Sequence, residues 1–530
     1  MVRIVMKYLS RRVFLGASAG AVYGTEGEVL VELDARALYE GLEASRVLLD
    51  GNALVWDGRN AKAGGTGVVV TDVLDLGGNA LLSGAAAVGA ARVAVDAAKG
   101  VRVQVRSGGT YFEGKEWSGW QEARSGFSPV GRYCQLRMEL GPEAPSIRGV
   151  RMVGSVKRRA FAGRIEMVQN RMQQLVRSPL VFGYERADQA DLVWLRKTFA
   201  LDTIIAPHAG ELEQLRAVLH WVASRKNLRP GPWEAAGQAY PWHVRQVMSE
   251  REGGAILGHC MSYCEVFLAA AAALGWHGRH WAMEGVRDTG HEVPEIWLNS
   301  LGKWVYFDPS LDTYYTDKQT GRPFSILELH RRYLATVLKP GEQLAHGRHL
   351  HEDRLKALRG KHPVRCETGG YVYGEKGAWD WEWDHGYMSA GWLQLTPRND
   401  FHSQVAPRFS NFGKGAVGFE GYPIYVDAQT PLPEEATRWY TRERDLWWTL
   451  NQAAFRMVRT AEDTVQLECG HTQPHFRRFV RRVDDGAAQP VESRFSWRLR
   501  AGDNRLEVTP EDAFGRRGLA SSVVVRYERG

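Results

Sequence analysis

The chain has 530 residues, too many for one hydrophobic core, so roughly two to four domains are expected. Its composition is globular, 44% apolar and 24% charged, and most of its 19 tryptophans should sit in cores. The formal charge of +7 owes four units to Arg3, Lys7, Arg11 and Arg12, ahead of the first acid at Glu26; no basic run is interleaved with aromatics, so a nucleic-acid partner is excluded.

Ser10-Arg11-Arg12-Val13-Phe14-Leu15 is similar to the twin-arginine export motif, and a small-residue apolar segment, Val13 to Gly24, follows it. Ala17-Ser18-Ala19 and Ala19-Gly20-Ala21 are small-x-small cleavage sites. Residues 1–25 therefore read as a signal peptide of a bacterial protein that is periplasmic or secreted. The segment is shorter than the roughly 20 apolar residues a spanning helix needs, and nothing later in the chain reaches that length, so no membrane span is expected. Five scattered cysteines, Cys134, Cys260, Cys264, Cys366 and Cys469, leave at least one thiol free in an exported protein. Their pairing is not legible.

Residues 26–155 read as β. Val101-Arg102-Val103-Gln104-Val105-Arg106 and Gln135-Leu136-Arg137-Met138-Glu139-Leu140 alternate as half-buried strands do. Arg106-Ser107-Gly108-Gly109-Thr110, Trp117-Ser118-Gly119-Trp120 and Gly131-Arg132-Tyr133 resemble accessory β-sandwich segments of large exported bacterial proteins. That resemblance implies an accessory module, either carbohydrate-binding or purely a packing unit.

Ala187 to Phe199 and Glu211 to Arg225 carry apolar residues at helical spacing, separated by a turn at Ala206-Pro207-His208. Gly258-His259-Cys260 then opens an alanine-rich apolar stretch that runs to Leu274-Gly275. His291 follows in Gly290-His291-Glu292-Val293-Pro294-Glu295, and Asp308 in Trp304-Val305-Tyr306-Phe307-Asp308-Pro309. A thiol at a helix start, an imidazole and a carboxylate are the parts of cysteine nucleophilic catalysis. The helix terminus lowers the thiol pKa, the histidine moves the proton and the carboxylate orients the ring.

These three motifs, in this order, resemble the transglutaminase-like superfamily, relatives of the papain-type cysteine proteases. Cys260 matches the nucleophile, His291 the base, Asp308 the orienting acid and Glu295 the acidic residue four after the histidine. Gly275-Trp276-His277-Gly278-Arg279 resembles the family's G-I-P-A-R segment, and the likeness extends over about residues 165–340. The sequence departs from the pattern where Val293 replaces a tryptophan of the substrate channel, and where Cys264 replaces a small residue one turn after the nucleophile. Cys264 shares a helix face with Cys260. As a lone buried thiol it reads as a small hydrophobe, and a metal or redox pair has no second CxxC to support it.

Ile326 to Leu338 reads as a further helix, stopped by Lys339-Pro340-Gly341. His346, His349 and His351 cluster beside Glu352 and Asp353, most simply as a solvated face. Trp379, Trp381 and Trp383 alternate with Asp380, Glu382 and Asp384; on a strand the rings share one face, which is a candidate sugar-stacking surface or a packing face. The last hundred residues return to short alternating strands and look like an immunoglobulin-like domain.

The expected organisation is a signal peptide at 1–25, a β-sandwich at 26–155, a catalytic core at 156–345, an aromatic-rich extension at 346–430 and an Ig-like sandwich at 431–530. The expected fold class is α+β, a papain-related core between all-β flanks. The expected activity is a protease or amidase working through a thioacyl intermediate, with no metal or other cofactor. Its substrate is a protein, peptide or glycan. A polysaccharide-active enzyme on the same core and a non-catalytic cell-surface binding module are the alternatives.

Overall fold

The computed structural model describes residues 2–7, 26–59, 65–78, 81–112, 116–123, 126–228, 242–284, 290–339, 341–342, 364–368, 391–404 and 438–530, with short pieces between 409 and 436. The twin-arginine-like segment, the cluster of His346, His349 and His351, and Trp379, Trp381 and Trp383 lie outside the described residues. No helix among the described residues is long and apolar enough to cross a membrane.

The protein is mainly β. Strands take 45% and helices 17% of the described residues, which overturns the α+β class expected from the sequence. The physical reason lies in how the helices are used. One long buried helix dominates the sequence pattern of the presumed core, yet the residues around it form hairpins, and the flanking segments are almost entirely strand.

The chain divides into two compact units, Met1–Pro179 with Trp447–Gly530, and Leu180–Leu446. In the first unit, Glu26–Asp34 and Ala86–Ala97 both pair antiparallel with Ser146–Arg158. A second sheet pairs Arg102–Gly108 with Tyr133–Leu140, in register Val103↔Met138 and Val105↔Leu136. That register places Val105, Leu136 and Met138 in one fully buried layer with Leu54, Val69 and Ile147. The backbone of Val2–Lys7 runs parallel to the start of Glu26–Asp34.

The C-terminal part of this unit packs Ala453–Ala461, Thr464–His471 and Arg494–Arg498 over a second sheet containing Phe476–Val483, Gly502–Asp512 and Ser521–Glu528. Trp497, Phe455, Leu467 and Val508 form its centre. Arg164–Arg171, inside the stretch assigned above to the catalytic core, is a strand of this sheet, paired antiparallel with Ser521–Glu528. The buried carboxylate of Asp75 accepts hydrogen bonds from Arg132 and Arg456, each at 2.8 Å, so it ties the two sandwiches of the unit together.

The second unit is built around the helix Cys260–Leu274. Every residue from Met261 to Ala273 is buried, so this helix is apolar all round and serves as a core element rather than a surface one. Small alanines at 269–273 let the helices Ala190–Thr198 and Glu211–Ala223 approach it, through Leu192, Leu195, Leu215 and Leu219. Its other neighbour is the antiparallel hairpin Gly278–Glu284 and Gly290–Leu298, extended on one side by Lys303–Tyr306 and on the other by Leu393–Leu395.

Arg279 and Glu295 face each other across this hairpin with both side chains fully buried. Glu295 accepts from Arg279 Nε and Trp281 Nε1 at 2.7 Å each, and from the backbone N–H of Ile326 at 2.6 Å. The last bond anchors the first turn of the helix Ile326–Val337, which also carries a capping box between Ser325 and Glu328. Glu295 is therefore a framework residue. Glu295→Ala would leave a guanidinium, an indole N–H and a helix N-terminus without their acceptor, and should cost roughly 3–5 kcal/mol. Urea denaturation should place its midpoint far below that of Glu295→Gln, which keeps the shape. Equal midpoints for Glu295→Ala and the parent protein would show the pair to be dispensable.

Candidate active site

Three elements of the second unit converge on Cys260. Gly258 takes a φ of +114°, a left-handed conformation that turns the chain into the helix, and its carbonyl accepts from Asn227 Nδ2 at 3.1 Å. Cys260 is the first residue of the helix, with His259 at the N-cap. First-turn amides have no acceptor within the helix and carry the positive end of its dipole, so the sulfur sits where negative charge is favoured. Cys260 itself is only partly buried, unlike Cys264 on the next turn.

His291 stands at the start of the strand Gly290–Leu298, opposite Met283. Its Nε2 lies 2.7 Å from Asp308 Oδ2, and both side chains are buried. With Nε2 occupied by Asp308, Nδ1 is the nitrogen left to face Cys260, and imidazole and thiol are near enough to shift each other's ionisation. Asp308 follows the strand Lys303–Tyr306. Its backbone exchanges hydrogen bonds with Thr313 at 2.8 and 3.1 Å, and its Oδ1 accepts from Ser310 N at 3.1 Å. One carboxylate oxygen of Asp308 thus accepts within its own turn while the other lies against the ring of His291. Tyr306 Oη approaches the same carboxylate at 3.5 Å.

The electrostatics separate the two thiols on this helix. Burial pushes the Cys260 thiol up, but hydrogen bonds and positive charge from His259 and His291 outweigh it and hold the thiol well below its ordinary value. Burial alone would lower His291, yet the Asp308 carboxylate and then Cys260 raise it well above the ordinary imidazole range. The two shifts run in opposite directions and each group is a cause of the other's, so thiol and imidazole titrate as one coupled pair in which a thiolate and an imidazolium favour each other. Cys264, one turn on, is driven well above the thiol range by burial and by the carboxylates of Glu265 and Glu292. A thiol held down in pKa at Cys260, one turn from a thiol held up at Cys264, is the arrangement a nucleophile needs.

The sequence reading assigned no role to His259, although it stands in the same motif. Its Nδ1 lies 3.6 Å from the Cys260 sulfur, which puts a second imidazole on the thiolate. Adjacency to the nucleophile was the available signal. His259→Ala should therefore slow alkylation of Cys260 by iodoacetamide most strongly at acid pH, by moving the thiolate titration upward. An unchanged rate-against-pH curve would show that His291 suffices. Glu265, His280 and Glu292 were also passed over; the first two are buried beside Cys264, and Glu292 is buried against His280. Glu265 is raised well above the carboxylate range by burial and by Glu292. Val293, the departure from the tryptophan pattern, is buried opposite Trp281.

A cavity of about 550 Å³ opens elsewhere in this unit, between the helix Glu211–Ala223 and the segment after Asp308. It holds a His220–Asp312 pair, 2.8 Å apart, but none of Cys260, His291 and Asp308 lines it.

No family model and no curated protein sequence matches the chain. Solved structures match weakly. A protein of Cytophaga hutchinsonii described as a candidate cysteine protease is 10% identical, with 46% of this chain and 78% of that chain covered at a TM-score of 0.19. Red sea bream transglutaminase is 9% identical, with 87% of this chain and 95% of that chain covered, also at a TM-score of 0.19.

Proposed function

We propose that the protein is a cysteine-dependent acyl-transfer enzyme, and that it hydrolyses amide bonds as a peptidase or amidase. The observation that carries this reading is the Cys260–His291 pair at a helix N-terminus, with Asp308 2.7 Å behind the ring. The Cys260 thiolate attacks the carbonyl carbon of an amide. The oxygen gains the charge, and the backbone N–H of Cys260 is the natural first donor to it. His291 Nδ1–H then gives its proton to the leaving amine as the C–N bond breaks, leaving a thioacyl enzyme and a neutral imidazole. The same nitrogen takes a proton from water, the hydroxide equivalent attacks the thioester carbon, and the C–S bond breaks to release acid and thiolate.

Hydrolysis is preferred over transfer to an amine because water needs no second binding site. The test is direct. The protein is incubated with a panel of peptides and simple amides, quenched in acid, and its mass is read for an acyl adduct on Cys260. Adducts that disappear on longer incubation support a hydrolase. Adducts that clear only on adding a primary amine favour transfer. Absence of any adduct, together with ordinary thiol reactivity at Cys260, removes the reading.

A further inference from the structure

One helical turn beyond Cys260, the same helix turns Cys264 and Glu265 into the protein interior; the two residues are 0% and 1% exposed. The neighbouring strand Gly278–Glu284 contributes His280, also 0% exposed. The Cys264 sulfur, a Glu265 oxygen and a His280 ring nitrogen all lie within 4.8 Å of one another. Glu265 Oε1 is buried and has no hydrogen-bond partner among the described residues. A carboxylate oxygen in that state costs free energy that something must offset, either a proton or a cation. A second buried carboxylate, Glu292, places Oε2 2.6 Å from His280 Nε2, the nitrogen that would ligate an ion, so Glu292 has to turn aside or become a further ligand when the ion enters. His280 is held from the other side, with Nδ1 2.8 Å from Thr396 Oγ1 and the ring edge-on to Trp242. A hydrogen-bonded second ring nitrogen is the usual support of a ligating histidine.

We propose that Cys264, Glu265 and His280 bind one divalent transition-metal cation, with zinc the best match to the donors. A set of one sulfur, one nitrogen and one oxygen suits a borderline-soft ion, and a thiolate disfavours magnesium and calcium. Tetrahedral zinc holds such donors about 3.4–3.6 Å apart, so a separation of up to 4.8 Å closes by about 1.4 Å at most. Binding displaces the Cys264 thiol proton to solvent, together with the Glu265 proton where one is held. The ion would not touch substrate. It would tie the helix that carries Cys260 to the hairpin that carries His291, a structural role for the active site. The proposal does not depend on the acyl-transfer reading, which is judged separately on Cys260.

The test uses the full chain carrying Cys260→Ala, so that the exposed thiol cannot ligate. Titration with cobalt(II) should saturate at one equivalent, with thiolate-to-cobalt absorption in the near ultraviolet that zinc abolishes by displacement. Adding Cys264→Ser should remove that absorption. Adding Glu265→Gln instead should keep the thiolate band but weaken binding by roughly tenfold or more, as one anionic ligand becomes neutral. Circular dichroism establishes that each variant is folded, and the Glu265→Gln protein carries the test if the serine variant is not. A folded Cys260→Ala protein that takes up no cobalt overturns the site. So does a band that survives both further substitutions unchanged.

Discussion

Cys260→Ala is expected to reduce turnover of any amide substrate by roughly four powers of ten or more, the scale seen when a nucleophile is deleted. The fold should survive, because the side chain is small and only partly buried. In the parent protein, alkylation of Cys260 follows the thiolate. Its rate should rise with pH through a midpoint well below the ordinary thiol value of about 8.5, since the pair with His259 and His291 lowers that thiol. The same shift contributes to folding. The thiolate's share of stability is present above the ordinary thiol value and is lost as pH falls through the depressed one. His291 contributes in the opposite sense. Its share is full below the ordinary imidazole value and is lost as pH rises through the elevated one. Site-resolved mass spectrometry against pH checks the labelling. A fully active, well-folded Cys260→Ala protein would end the nucleophile assignment. Loss of activity on Cys264→Ala instead would move the assignment to the other thiol.

Asp308→Asn is the second large effect. The amide preserves volume but cannot offer a charged acceptor to Nε2 of His291, now 2.7 Å from Oδ2. It can also hold the ring in the wrong tautomer. Turnover should fall by roughly two to four powers of ten. The pH profile should narrow from both sides. Without the carboxylate, the imidazolium gives up its proton at lower pH, and leaving-group protonation fails earlier on the alkaline limb. With less positive charge beside it, Cys260 ionises at higher pH, so the acid limb moves up. Ser310 N also bonds to this side chain, at 3.1 Å, so a modest loss of stability is expected alongside. The profile separates the roles, because a residue that only capped the turn would change stability and leave both limbs in place.

Much of the site was legible because it is written in short motifs. Cys260 lies in a Gly-His-Cys step into an apolar helix, His291 at the head of a strand and Asp308 before a proline at a strand end. Each motif is local, and their order along the chain suggested that they meet. What the motifs could not say is what surrounds them. The second imidazole on Cys260 and the buried Glu265–His280–Glu292 group depend on a helix packing against a hairpin. No periodicity within either element reports that packing.

The sequence by itself determined the local elements: alternation at 101–106 and 135–140, helical spacing at 187–199, 211–225 and 326–338, and a helix from Cys260 with no polar face. Local conformation follows from side-chain period and from turn chemistry, both carried by neighbouring residues. Tertiary structure alone decided the balance of strand over helix, and the pairing of Arg164–Arg171 with Ser521–Glu528, more than three hundred residues away. It also decided that Glu295, read as part of a catalytic pattern, spends its carboxylate on Arg279, Trp281 and Ile326. The opposite pKa shifts of two thiols one turn apart belong to the same class. Cys260 and Cys264 share a helix face in the sequence, but His259 and His291 pull one thiol down while burial, Glu265 and Glu292 push the other up. Burial and charge are properties of the space around a residue, and that space is filled mostly by parts of the chain far away in sequence.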